Sequence, residues 1–328
     1  MLDRRLFVET AAASLLALAL PARAQKSATP VIGFLSSGTA VPWAPYLTSF
    51  RQGLNEVGYT EGKNIAIEFR WADGQYDRLP ALAADLVRSR VAVLVSTGGP
   101  GSARAAKAAT STIPIVFTTG SDPVEYGLVA SLGHPGGNAT GITMFTVDLV
   151  AKRMELLHEL VPKATEIGLI SNPNDPYVDS RINRIREAAH LLGQHLHVVR
   201  AGTVEDIDAA FVSLQQARAE AVIIGTDSFF NARRDQFVAL ATRYALPMMF
   251  DLREFVTAGG LLSYGGSLTE TYRLAGTYTG KLLQGAQPSD LPVLQPTKFE
   301  LVVNLKAARA IGLTIPQSIL SRADEVIE

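Results

Sequence analysis

The chain of 328 residues has no cysteine. That absence excludes disulfides, thiolate nucleophiles, cysteine-ligated metals and lipid attachment through sulfur. Histidine is sparse, at five residues. Only His195 and His197 would share a strand face, and no carboxylate or third histidine stands at ligand spacing, so neither a metal nor a cofactor is expected. An excess of either charge is also missing. Lys and Arg total 30 against 31 Asp and Glu, a net charge of −1 with no run of like charges, and a nucleic-acid partner is not expected. Motifs of catalysis and phosphate binding are incomplete. Gly98-Gly99-Pro100-Gly101 lacks the Lys-Ser/Thr ending of a P-loop and the third glycine of a dinucleotide fingerprint. There is no Gly-x-Ser-x-Gly elbow.

What is present begins with a leader at residues 1–24. Arg4-Arg5-Leu6-Phe7 is a basic start, Ala11 to Leu20 is apolar, and Ala22-Arg23-Ala24 is an Ala-x-Ala cleavage site. The apolar part is far shorter than the roughly 20 residues that span a bilayer. A signal peptide of the twin-arginine or general secretory type is expected, with the mature chain starting at Gln25. Removing Arg4, Arg5, Arg23, Asp3 and Glu9 leaves a net charge of −2. No later segment is apolar enough to insert in a membrane, so a soluble, periplasmic protein is expected.

The mature chain alternates apolar strands with helices. In the first half strands are expected at 31–35, 64–69, 91–95 and 113–117, with helices at 45–57, 78–88 and 102–109. The runs from Val31, Val91 and Ile113 are continuously apolar, as befits parallel strands covered on both faces. Asp122, Pro123 and Glu125 then spell the start of a helix that His134-Pro135-Gly136-Gly137-Asn138 would end. In the second half strands are expected at 166–170, 196–199, 221–224 and 246–250, with helices at 177–192, 204–217 and 229–244. Segments 31–37, 91–98 and 113–117 match 166–172, 220–227 and 246–250 in the same order, which argues for two lobes of one topology. The tail adds a strand at 261–264, a helix at 268–283 opened by Ser267-x-x-Glu270, a Pro-rich link, a strand at 299–303 and a helix at 305–311.

The expected fold is α/β: two doubly wound parallel-sheet lobes joined by a three-segment hinge. Residues 30–143 plus 265–292 would form the N-terminal lobe, and 144–264 plus 293–328 the C-terminal lobe. Ligands of open parallel sheets sit at the carboxyl ends of strands. The candidate ligand-binding residues are accordingly Ser36, Ser37, Thr97, Gly98, Thr118 and Thr119 from one lobe, with Asn172, Thr226, Asp227, Phe250 and Asp251 from the other. Helix N-termini at these ends favour a carboxylate, and Asp227 or Asp251 can face an ammonium. Trp43, Tyr46, Phe145, Phe230 and Tyr264 are candidates to sandwich a ring. Asp122 and Asp251, each with a glutamate three residues on, also fit plain helix caps, and Asp227 and Thr97 fit either role.

Residues 121–143, Ser-Asp-Pro-Val-Glu-Tyr-Gly-Leu-Val-Ala-Ser-Leu-Gly-His-Pro-Gly-Gly-Asn-Ala-Thr-Gly-Ile-Thr, resemble the signature of the substrate-binding proteins of ABC importers of the tryptophan/tyrosine-binding type. Residues 50–64, Phe69-Arg70-Trp71-Ala72 and 299–308 resemble the same family, so the resemblance covers essentially the whole mature chain. It implies a periplasmic binding fold of the first type and capture, without catalysis, of a small solute that is aromatic, carboxylated or amino-acid-like. It also implies delivery to an inner-membrane permease with its ATPase. The residues alone leave two other readings open. One is an exported hydrolase or isomerase with Asp227 or Asp251 as base. The other is a ligand-sensing domain for a receptor.

Overall fold

A computed structural model describes residues 29–295 and 298–328, so the leader read at residues 1–24 lies outside the described residues. The first sheet holds β1 (Val31–Ser36), β2 (Ala66–Trp71), β3 (Val93–Thr97), β4 (Ile115–Thr119) and β5 (Ala139–Thr143) in the order β2-β1-β3-β4-β5, all parallel. Its helices are α1 (Ala40–Glu56), α2 (Leu79–Arg88) and α3 (Pro100–Ala109). The chain then crosses to α4 (Val150–Leu160) and a second sheet. There β6 (Glu166–Ser171), α5 (Val178–Leu191), β7 (His195–Arg200), α6 (Val204–Gln216) and β8 (Ala221–Ile224) repeat the rhythm. They are followed by α7 (Ser228–Ala232), α8 (Arg234–Arg243), β9 (Met248–Phe250), α9 (Arg253–Thr257) and β10 (Leu262–Gly265).

The tail helix α10 (Leu268–Leu283) returns to the first sheet and lies along α1. Val293 and Leu294 still bond to Leu132 and Gly141 of that half. The chain then recrosses to β11 (Glu300–Asn304), α11 (Leu305–Ala310), α12 (Gln317–Leu320) and β12 (Glu325–Ile327). The second sheet runs β7-β6-β8-β9-β10-β11-β12, with only the β10–β11 pair antiparallel. Strands β2-β1-β3-β4-β5 and β7-β6-β8-β9-β10 therefore occupy corresponding places. The three segment matches read from the sequence fall on β1 with β6, β3 with β8 and β4 with β9.

The strands are apolar because both faces are covered. Phe34 and Leu35, which point to opposite sides of the sheet, are each 0% exposed. Several strands lie two residues further along than the apolar runs suggest. The ladder continues into polar ends, pairing Ser36 with Thr97, Ser96 with Phe117 and Thr119 with Thr143. Hydrophobic runs mark where a strand lies in the apolar core, and these strands continue as buried polar residues toward the cleft.

Three expectations need correction. No helix follows Asp122. Its Oδ1 accepts from the Val124 amide at 2.8 Å, and one turn closes with Tyr126 N–H to Asp122 O at 3.2 Å. Gly127 then adopts φ 65°, which keeps that turn from growing into a helix, and Leu128 N–H bonds back to Pro123 O. The expected 229–244 helix is two helices, broken where Arg233 leaves helical geometry (φ −112°, ψ 17°). Asp251 is not a cap: α9 begins after Leu252 with no side-chain cap bond.

Candidate functional site

The carboxyl ends of β3 and β4 in one sheet and of β8 and β9 in the other open on a shared cleft. Its first wall is the Gly98-Gly99-Pro100-Gly101 turn leading into α3, the β4 end Thr118-Thr119-Gly120, and Tyr76. Trp43 from α1 and Leu268 and Tyr272 from α10 complete that wall. The second wall offers Asp175, Arg181, Thr226, Asp227, Ser228 and Asp251. The crossing residues Met144, Thr146 and Val147 form the back.

Local rules explain several placements. Asp227 caps α7, its Oδ1 accepting from the Phe229 amide at 2.8 Å and from Asn172 Nδ2 at 3.1 Å. Its Oδ2 accepts from the Tyr76 hydroxyl at 2.6 Å across the cleft. Arg181 donates to Asp175 Oδ2 at 2.9 Å and to the Thr226 carbonyl at 2.7 Å. Trp43 Nε1 donates to the Tyr272 hydroxyl at 2.7 Å, which fixes both rings in the wall.

Burial dominates the electrostatics. It pushes the carboxyl groups of Asp175 and Asp251 up from their usual range, opposed by the charges of Arg181 and Arg153 respectively. The Tyr76 phenol is raised well above its ordinary value by burial and by the charges of Asp227 and Asp175. Burial pushes the Tyr272 phenol up to about 12, with the hydroxyls of Thr97 and Thr118 and the Trp43 indole pulling it back. Three carboxylates and one guanidinium thus line the cleft, opposite an aromatic patch. Such a surface favours a solute with an ammonium group and a ring.

The lobes are drawn together by direct bonds. Beside Tyr76 to Asp227, Ser37 Oγ meets Ser228 Oγ at 2.8 Å, Asn231 Nδ2 donates to the Tyr46 hydroxyl at 3.3 Å, and Arg104 donates to the Tyr177 hydroxyl at 2.8 Å. Replacing Tyr76 with phenylalanine removes the shortest of these. We expect solute affinity to fall about 5-fold, matching about 1 kcal/mol for one such bond, and the ligand-free protein to become more open by small-angle scattering.

Of the residues singled out from the sequence, Gly98, Thr118, Thr119, Thr226, Asp227 and Asp251 line the cleft. Ser36, Ser37, Thr97, Asn172 and Phe250 stand behind its walls. Ser36 accepts from the Gly38 amide, Ser37 donates to the Gly98 carbonyl, and Asn172 holds Asp227. Thr97 is 0% exposed, and Phe250 stacks on Phe255 with centroids 4.6 Å apart. Among the ring candidates only Trp43 lines the cleft; Tyr46 and Phe230 are core, and Tyr264 packs on Phe299. Tyr76, Asp175, Arg181, Ser228 and Tyr272 were not anticipated. Asp175-Pro176 reads as a helix cap, and nothing in the sequence marks Arg181, one turn inside α5, as facing the cleft.

Two sheets of one topology, tied by three crossings and facing each other over a polar and aromatic cleft, define a bilobed solute-binding protein of the periplasmic binding type. The family model for ABC transporter substrate binding proteins matches residues 46–327, and the chain belongs to that family. A curated relative, a tyrosine-binding protein of Clostridioides difficile (strain R20291), is 28% identical over 266 residues, covering 80% of this chain and 75% of the relative. A conserved domain protein from Vibrio cholerae superposes with a TM-score of 0.83 at 26% identity, over 91% of this chain and 100% of that one. An ABC domain from Streptococcus pneumoniae in complex with L-Trp gives 0.80 at 22% identity, over 92% and 100%. A ligand-free, open substrate-binding protein from Clostridium difficile gives 0.63 at 26% identity, over 91% and 99%. The fold and family expected from the sequence are those found.

Proposed function

We propose that the cleft captures an aromatic amino acid as its zwitterion and that the closed protein presents it to the permease of an ABC importer. The observation that carries this reading is the pairing of Asp175, Asp227 and Asp251 with the Trp43–Tyr272–Met144 patch in one cleft. The ammonium group goes to the carboxylates. The carboxylate goes to the amides of the Gly98–Gly101 turn at the start of α3 and to Thr118 and Thr119. The ring goes against Trp43 and Tyr272. The relative named for tyrosine binding supports the ligand class. The leader at residues 1–24 supports export to the periplasm, and the paths of the crossings support lobes of 30–143 plus 265–292 and of 144–264 plus 293–328. An enzymatic use of the cleft is less favoured. The oxygens of Asp227 already accept from Tyr76, Asn172 and the Phe229 amide, an arrangement for holding a charge rather than moving a proton.

In a thermal-shift series L-tryptophan or L-tyrosine should raise the melting temperature saturably, with other classes of solute inert. A set of aromatic amino acids with no effect would defeat the ligand assignment. Affinity should also depend on pH. Because burial raises the carboxyl groups of Asp175 and Asp251, protons compete with the ammonium group as pH falls through those raised values. Binding is therefore expected to weaken toward acid while remaining flat above that window, as calorimetry at several pH values would read. The sign of the effect on stability is opposite. A carboxyl whose folded pKa lies above its unfolded one binds its proton more tightly when folded, so its contribution falls as pH rises from the unfolded to the folded value.

A further inference from the structure

A small side chamber adjoins the cleft and shares Val147, Arg181 and Thr226 with it. Its walls are mostly apolar, including Val150, Ile185 and Ile224, yet two guanidinium groups line it. Arg153, on α4, is only 2% exposed, and its Nε and Nη1 have no acceptor among the described residues. Arg181, on α5, spends its Nη1 on Asp175 and Thr226 and leaves its Nε equally unpartnered. An arginine carries five N–H donors and keeps its charge, so a buried one without acceptors is costly. The negative groups acting here are Asp251, at the end of the strand that α4 packs against, and Asp175. Asp251 makes no ion pair with Arg153 among the described residues, and its own Oδ2 is unpartnered. Asp175 is already engaged with the far side of Arg181.

We infer that this chamber is an anion subsite, in which Arg153 and Arg181 together hold one small monovalent anion, a halide or a carboxylate. The fit is chemical as well as spatial. Three guanidinium nitrogens without acceptors belong to the two arginines that border one pocket, and its other walls, apolar except for Thr226, give an anion little competition from water. Because Arg181 also reaches Ser121 in the first lobe, at 3.4 Å, an anion held there braces the cleft's second wall. The carboxylate source rests on the amino-acid reading of the cleft and would seat the solute's carboxylate here in place of the Gly98–Gly101 turn; the free-anion source does not rest on it.

The test is a titration of the ligand-free protein with sodium bromide and sodium formate, against sodium gluconate at equal ionic strength as a bulky control. The expected result is a saturable rise in melting temperature of about 3 °C or more with the small anions only. It should be lost in Arg153→Met. Anomalous scattering from a bromide-soaked crystal of the unaltered protein should show one bromide touching both guanidinium groups, which decides the matter even where the variant fails to fold. Repeating the titration with saturating L-tyrosine separates the sources. Competition means that the solute's carboxylate occupies the chamber, and additivity means a separate anion. Equal responses to bromide and gluconate, with no bromide between Arg153 and Arg181, overturn the inference. Inert L-tyrosine with bromide bound would instead count against the amino-acid reading alone.

Discussion

Asp227→Ala is expected to weaken capture of an aromatic amino acid by about 30- to 1000-fold, the equivalent of about 2–4 kcal/mol. Two losses combine. The first is a charge that faces the ammonium group in a confined cleft, where hydrogen bonds to ions count for more than neutral ones. The second is the bond from the Tyr76 hydroxyl, 2.6 Å long, which spans the lobes. The same change removes the cap of α7 and should cost about 1 kcal/mol of stability. Asp227→Asn separates these effects. Its amide oxygen still accepts from the Phe229 and Asn172 N–H groups, so melting should hardly change while affinity still falls. Calorimetric titration of both variants with L-tryptophan and L-tyrosine reads the two terms. Affinity unchanged in both would remove Asp227 from the site.

Gly53→Ala or Gly276→Ala is expected to lower the melting temperature by roughly 6–12 °C, from a cost of about 3 kcal/mol or more. Helices α1 and α10 touch backbone to backbone. A Cβ at Gly53 would stand 1.8 Å from the Arg273 carbonyl oxygen, and one at Gly276 would stand 2.1 Å from that of Phe50. Neither neighbour is a side chain that can swing aside, so the helices must part. That parting would reach the site, because Trp43 on α1 and Tyr272 on α10 share a hydrogen bond in the cleft wall. Gly133→Ala, with nothing within 4 Å of the added methyl, is the neutral control for scanning calorimetry.

Particular residues show how far the sequence could be read. The duplicated topology was legible because apolar strands repeat in order, and 31–37, 91–98 and 113–117 lie in the same sheet positions as their partners. The tail helix was legible to the residue, since Ser267 caps it through the Glu270 amide. The cleft was legible only where it is built from strand ends. Thr118, Thr119, Thr226 and Asp227 follow from the rule that parallel sheets bind at their carboxyl ends. Tyr76 and Arg181 escaped because they reach the cleft from a one-turn 3₁₀ helix and from inside an α-helix, and their role depends on how the lobes meet. Asp251 was open to a local reading as a cap. Its burial beside the cleft, with Arg153 as its counter-charge, is a tertiary fact that no spacing announces.

The most direct check is a crystal structure of the protein grown with saturating L-tryptophan or L-tyrosine. The amino acid should lie between the two sheets, with its ammonium group within hydrogen-bond distance of Asp227 or Asp251 and its ring against Trp43 and Tyr272. An amino acid seated on the outer face of one lobe, or a cleft left without it at saturation, would contradict the account.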